Sequence, residues 1–151
     1  MSPIGGETSR QIFELITDFG TWAIKDGTGI GFDSKALFIM SNGAKRSPYI
    51  SWLKLERWNK LSKDERKWFS HICPDFIIEL RLISDPIGGL KVKMEEYIEN
   101  GAQLGWLIDP IQKKVYIYRP NAEAEELDNP ASISGDPVLK GFVLDLRNYF
   151  G

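Results

Sequence analysis

Residues 73–110 read CPDFIIELRLISDPIGGLKVKMEEYIENGAQLGWLIDP, and their pattern decides the fold. Phe76-Ile77-Ile78-Glu79-Leu80 is a nearly continuous apolar run. A strand covered on both faces reads that way. Asp85-Pro86 then looks like an N-cap followed by proline at the first helical position. The helix predicted there runs to about Asn100, with Gly101 as its stop signal. Leu104–Ile108 is a second apolar strand, ended by Asp109-Pro110. Strand, helix and strand in that order predict a parallel crossover inside a mixed sheet.

The flanks supply the rest of the sheet. Ile12, Leu15, Ile16, Phe19, Trp22 and Ala23 recur at helical spacing, which predicts a helix over residues 8–26. Thr8 and Gln11 have capping-box spacing, and Gly27 follows as a stop. Ala36–Met40 reads as a short strand entering a hairpin at Asn42-Gly43, and Tyr49–Leu53 as the next strand. Ser62 and Glu65 form a second capping box before a short helix. Val115–Arg119 returns as a hairpin partner of Leu104–Ile108, with Tyr116 and Tyr118 on one face. Pro120 to Gly141 is mostly turns and loops, with a short strand at Glu125–Asp128. Phe142–Leu146 closes the chain as a strand or short helix. The class is α/β (α+β), in one domain over residues 1–151, long enough to bury roughly 70% of its unfolded surface.

Composition narrows the chemistry. Hydrophobic residues make up 42% and charged residues 26%, which excludes global disorder. No apolar run approaches the roughly 20 residues of a membrane span, and no secretory signal is visible, so a cytoplasmic location is expected. One cysteine, Cys73, and one histidine, His71, cannot build a zinc site of the usual kind, and both read as structural. The net charge of −2 hides a basic, aromatic-rich segment at 52–69, with Lys54, Arg57, Lys60, Lys63, Arg66 and Lys67 among Trp52, Trp58, Trp68 and Phe69. That segment could contact DNA phosphates, or it could be a solvated amphipathic helix whose tryptophans pack on the body.

Two charged residues stand out. Glu79 interrupts a buried strand, where an ionised carboxylate is costly unless a cation or several donors meet it. A core pair with an arginine is one reading. Lys93 sits at the edge of the apolar stripe Leu90, Met94, Tyr97 and Ile98. Alone it reads as a lysine whose stem covers the sheet. A strand carboxylate and a helix lysine facing one crossover can instead hold a divalent metal and orient a water, the machinery of phosphodiester hydrolysis.

The stretch from CPDFIIEL to WLIDP, followed by KKVYIYRP, closely resembles the Uma-type family of restriction endonucleases, abundant in cyanobacteria and part of the PD-(D/E)xK nuclease superfamily. The resemblance runs from MSPIGGETSRQ to GFVLDL, and it rests on IEL, KMEEYI, NGA, GWLIDP and IYRP in order. It implies a restriction-endonuclease-like mixed sheet flanked by helices, with DNA as partner and Mg²⁺ (or Mn²⁺) as cofactor. Glu79 matches the metal-binding acid and Lys93 the catalytic lysine that has moved onto the helix. The carbonyl of Leu80 would be a further metal ligand. Arg81 stands where the superfamily more often has its lysine, but an arginine stays protonated and cannot act as a base.

Two departures from the family pattern follow. In KRSPYISW, Tyr49 occupies the position of the family's metal-binding aspartate. A neutral phenol, with a reference pKa of about 10, is a poor magnesium ligand, so a weakened or inactive site is expected. Asp75 lies about 13 Å along the strand from Glu79, too far to replace it. Asp33 or Glu14 could approach in three dimensions. The family also carries additional N-terminal sequence, so the resemblance implies a shortened chain with an exposed sheet edge that could pair two copies into a homodimer. The expected function is a metal-dependent DNA endonuclease impaired at Tyr49. The alternative is a non-catalytic DNA-binding or protein-interaction module on the same fold.

Overall fold

The computed structural model describes residues 5–67 and 69–150; of Phe69 and Ser70 it describes the backbone alone. The chain opens with helix α1 (Gly6–Asp26), followed by strands β1 (Gly29–Phe32), β2 (Phe38–Ile39), β3 (Lys45–Arg46) and β4 (Ile50–Lys54). Helices α2 (Leu55–Asn59) and α3 (Lys63–Lys67) and strand β5 (Phe69–Ser70) lead to β6 (Phe76–Leu80). Then come α4 (Ile87–Glu99), β7 (Leu104–Asp109), β8 (Lys114–Tyr118), β9 (Glu125–Asp128), β10 (Ser132–Ser134), β11 (Val143–Asp145) and α5 (Arg147–Phe150).

A six-stranded sheet in the order β1-β4-β6-β7-β8-β9 forms the centre. β6 and β7 run parallel with α4 between them in sequence, and their antiparallel neighbours make the sheet mixed, as the crossover pattern predicts. Alternation along the strands builds two cores. Phe76, Ile78 and Leu80 of β6 join Trp106 and Val115 under Leu15, Phe19 and Ala23 of α1. Ile77, Leu107, Tyr116 and Tyr118 face Met94 and Tyr97 of α4, with Phe38 and Met40 from the small sheet β3-β2-β5. Each fully buried side chain of this size contributes about 1.5–3 kcal/mol. Period-two alternation therefore puts Glu79 on the α4 face beside Ile77. Gly105 of β7 lets that helix lie close: a Cβ there would sit 2.9 Å from Met94 Cε.

Several local readings need correction. α1 starts two residues before Thr8, with Gly5 at its N-cap and no side-chain cap bond. Glu7 pairs with Arg10 in the extra turn. Gly27 does end the helix, in the left-handed conformation at φ 73°. The predicted strand at Ala36–Met40 shrinks to Phe38–Ile39, although the hairpin with β3 and the positive φ of Gly43 are present. Asp85 does not cap α4. Pro86 holds the N-cap position, and the Asp85 carboxylate accepts the backbone N–H of Leu82 in the preceding turn. The Ser62–Glu65 box is formed reciprocally, at 2.9 and 3.1 Å. Strand β1 and helix α2 have no counterpart among the predicted elements.

Candidate active site

Glu79 is buried near the end of the crossover, its side chain 3% exposed. Three donors meet it. Lys93 Nζ lies 3.0 Å from Oε2, the Tyr97 hydroxyl donates to the same oxygen at 3.1 Å, and the backbone N–H of Tyr49 donates to Oε1 at 3.3 Å. The cation beside Glu79 is thus a lysine rather than the arginine that a plain core pair would use. Lys93 and Tyr97 are one helical turn apart on α4, so their side chains reach the same point of the sheet. The Lys93 side chain is 35% exposed, at the edge of the buried face as its spacing predicts.

Tyr49 immediately precedes β4, whose Ile50 is paired with Ile78 of β6. The register therefore brings Tyr49 beside Glu79. Its ring packs against the α1-side core. Burial first, then the carboxylates of Asp85 and Glu79, push the Tyr49 phenol above its ordinary value. It stays neutral at physiological pH and offers a cation no charge. Upstream, Arg46 reaches Glu96 of α4 at 2.9 Å, tying the strand before Tyr49 to the helix that carries Lys93.

The other candidates fall elsewhere. Asp75, at the opposite end of β6, accepts the N–H of Lys54 at 2.8 Å and pairs with Arg57 at 3.0 Å. Glu14 pairs with Arg10 on α1, and Asp33 closes its own turn by accepting the N–H of Lys35. Neither carboxylate is engaged with Glu79. Arg81 pairs with the fully buried Asp109 at 2.9 Å and donates to the Asp85 carbonyl. Asp109 shapes the turn after β7, accepting the N–H groups of Ile111 and Gln112. Its partnership with Arg81 is an addition that the sequence reading lacked. Burial pushes the Cys73 thiol up to about 12, so it is no nucleophile at neutral pH.

The donor set around Glu79 does not fit a magnesium site as it stands. Magnesium wants several hard oxygens. Here one carboxylate is present, and its Oε2 already accepts from an ammonium and a phenol. Among the described residues no three His, Cys, Asp or Glu side chains come together to hold a metal. A cleft of about 350 Å³ beside Leu80, Arg81, Leu82 and Ile111 opens at this end of the sheet. An apolar groove of about 390 Å³ between α1 and β1 contains neither Glu79, Lys93 nor Tyr49.

The basic segment lies at the other end. α2 leaves β4 at Lys54, four strand residues beyond Ile50, and neither α2 nor α3 contains a buried residue. Trp52 is buried, Trp58 is half-buried with Arg66 stacked 4.5 Å from its ring, and Trp68 lies outside the described residues.

The profile of the family described as "Uma2: Putative restriction endonuclease" matches residues 1–147. The chain belongs to the Uma2 family. The solved structure of a "putative nuclease belonging to DUF820" from Anabaena variabilis is similar in fold, with a TM-score of 0.79 at 22% identity. The match covers 99% of this chain and 83% of that one. No curated protein matches. The Uma2 assignment and this fold agree with the restriction-endonuclease-like mixed sheet that the resemblance implies. Among the described residues no helix is long and apolar enough to cross a membrane.

Proposed function

We propose that this Uma2 chain is a DNA-directed nuclease domain whose hydrolytic site is impaired at position 49. The observation that carries the reading is the Glu79–Lys93 contact of 3.0 Å at the crossover, with the backbone N–H of Tyr49 against the same carboxylate. Glu79 supplies the strand acid and Lys93, with a third of its side chain exposed, an ammonium that can meet a phosphate oxygen. Both are candidate catalytic residues. A Mg²⁺ or Mn²⁺ site would draw on Glu79 and the Leu80 carbonyl and needs a second carboxylate, which Tyr49 does not provide. A cytoplasmic location goes with DNA as substrate.

The test is nicking of supercoiled plasmid with Mg²⁺ or Mn²⁺, comparing the chain with Tyr49→Asp and Glu79→Ala. The expected result is cleavage by Tyr49→Asp alone, with a Mn²⁺-dependent rise in its melting temperature that a further Glu79→Ala removes. Cleavage by the unaltered chain at the same rate would end the claim of impairment. Silence from both would favour the binding-only module, which predicts salt-sensitive DNA retention without metal.

One observation supports pairing of two copies. β1 forms an edge of the six-stranded sheet with the uncharged sequence Gly29-Ile30-Gly31-Phe32. The other edge, β9, carries Glu125, Glu126 and Asp128. Charges guard an edge against strand addition, and β1 has none. Sedimentation should therefore show a concentration-dependent dimer that Ile30→Lys abolishes.

A further inference from the structure

Of the two side chains that donate to Oε2 of Glu79, one is fixed and one is free to leave. Tyr97 is fully buried, and its residue is held at both ends. Its carbonyl accepts the N–H of Ala102 at 3.0 Å and the thiol of Cys73 at 3.4 Å, while its hydroxyl reaches Glu79. Its ring turns about two side-chain torsions inside a packed core with Ile77, Met94 and Leu107. Lys93 hangs on a flexible four-carbon stem with a third of its side chain in solvent. Oε1, by contrast, has among the described residues only a long backbone contact of 3.3 Å.

We propose that Tyr97 is the positioning residue of this pair: its hydroxyl pins Oε2 of Glu79, and the pinned carboxylate holds the Lys93 ammonium in the site. The inference rests on Glu79 and Lys93 being the functional pair, but the pinning itself needs neither metal nor DNA. Without the hydroxyl the carboxylate can rotate about its terminal torsion, which is broad and shallow. Lys93 then loses its fixed acceptor and swings into solvent. Tyr97 does not touch substrate in this account and acts only through Glu79.

The experiment is metal-free labelling with an amine-reactive acylating reagent, read residue by residue by mass spectrometry. The exposed Lys60 is the internal standard. Tyr97→Phe should raise the Lys93-to-Lys60 labelling ratio by about threefold to tenfold, the range that one net hydrogen bond spans. Glu79→Gln should raise it as well. A ratio that rises in Glu79→Gln and stays flat in Tyr97→Phe overturns the proposal and leaves Tyr97 as packing. Lys91, on the same helix with its ammonium 4.5 Å from the Tyr116 ring, reports any loosening of α4, and a rise at Lys91 equal to that at Lys93 overturns the proposal. Should Tyr97→Phe fail to fold, the chain grown with 3-fluorotyrosine replaces it. The Tyr97 fluorine resonance must then shift in Lys93→Met and in Glu79→Gln, and indifference to both overturns the proposal. Adding plasmid separates the two claims. Failure of DNA to slow Lys93 labelling counts against the functional reading and leaves the pinning intact.

Discussion

Asp75 and Glu79 are two buried carboxylates at opposite ends of one apolar stretch, and they are satisfied in opposite ways. Asp75 takes a backbone N–H and the guanidinium of Arg57, which also donates to the Cys73 carbonyl. Every one of those partners belongs to a chain reversal, so the group fastens the end of β4 and the start of α2 to β6. Glu79 takes a lysine and a phenol from a helix face, with a single weak backbone contact. The Arg57 side chain, 37% exposed, is as open as that of Lys93 at 35%, but its guanidinium is held by two oxygens, Asp75 Oδ1 and the Cys73 carbonyl. An ammonium at a solvent edge is an exchangeable partner. Burial alone therefore does not distinguish the two acids; the number of oxygens that hold the cation does.

The contrast can be broken by mutation, and the largest effect belongs to a third buried acid. Asp109→Ala leaves Arg81 largely buried and strips the Ile111 and Gln112 N–H groups of their acceptor. A loss of about 3–5 kcal/mol in urea unfolding is expected. Asp75→Asn should cost less, about 2–3 kcal/mol, because Arg57 is partly exposed and can turn to water. Glu79→Gln should cost at most about 1.5 kcal/mol, since Lys93 also reaches solvent, yet it should abolish any cleavage gained through Tyr49→Asp. Equal losses for the Asp75 and Glu79 variants would erase the distinction drawn above. Arg66→Ala should remove about 0.5–1 kcal/mol by unstacking the guanidinium from Trp58.

The smallest effect is one of pH. The Arg147 guanidinium holds the Asp145 carboxyl down at about 2, from an ordinary value of 3.8. A depressed carboxyl adds stability above its unfolded value and loses it as pH falls through the folded one. Asp145→Asn should therefore flatten the stability curve only between those two values. The pair is fully exposed, so the change should be slight and should vanish in high salt. A difference that persists at neutral pH in high salt would point to some other role for Asp145.

Much of this was legible in the sequence where one strong pattern ruled. The apolar run 76–80, the Asn42-Gly43 hairpin and the Ser62–Glu65 box each have a single physical reading. That Glu79 and Lys93 face one crossover also followed, but their direct contact did not, since the sequence offered Glu79 an arginine or a metal as its partner. β1 was hidden because two glycines in four residues read as loop; Gly29 is there because a Cβ would collide with the Trp52 ring, at 2.2 Å. α2 is too short to show a period. Tyr97 was absorbed into the apolar stripe of α4, although its spacing of four from Lys93 was the signal that both reach one acceptor. The bond between Arg81 and Asp109 joins two strands 28 residues apart, a distance that no local pattern reports.

The unequal edges of the central sheet would also set a stoichiometry if two copies pair through it. A sheet adhesive along both sides would propagate into an open fibre. Here β9 carries carboxylates, two of them paired to Lys114 and Arg119, while β1 carries no charge. Two copies meeting at β1 about a two-fold axis would use up that side of each, and growth would end. In such a dimer the acidic strand far from Glu79 would act as a chain terminator.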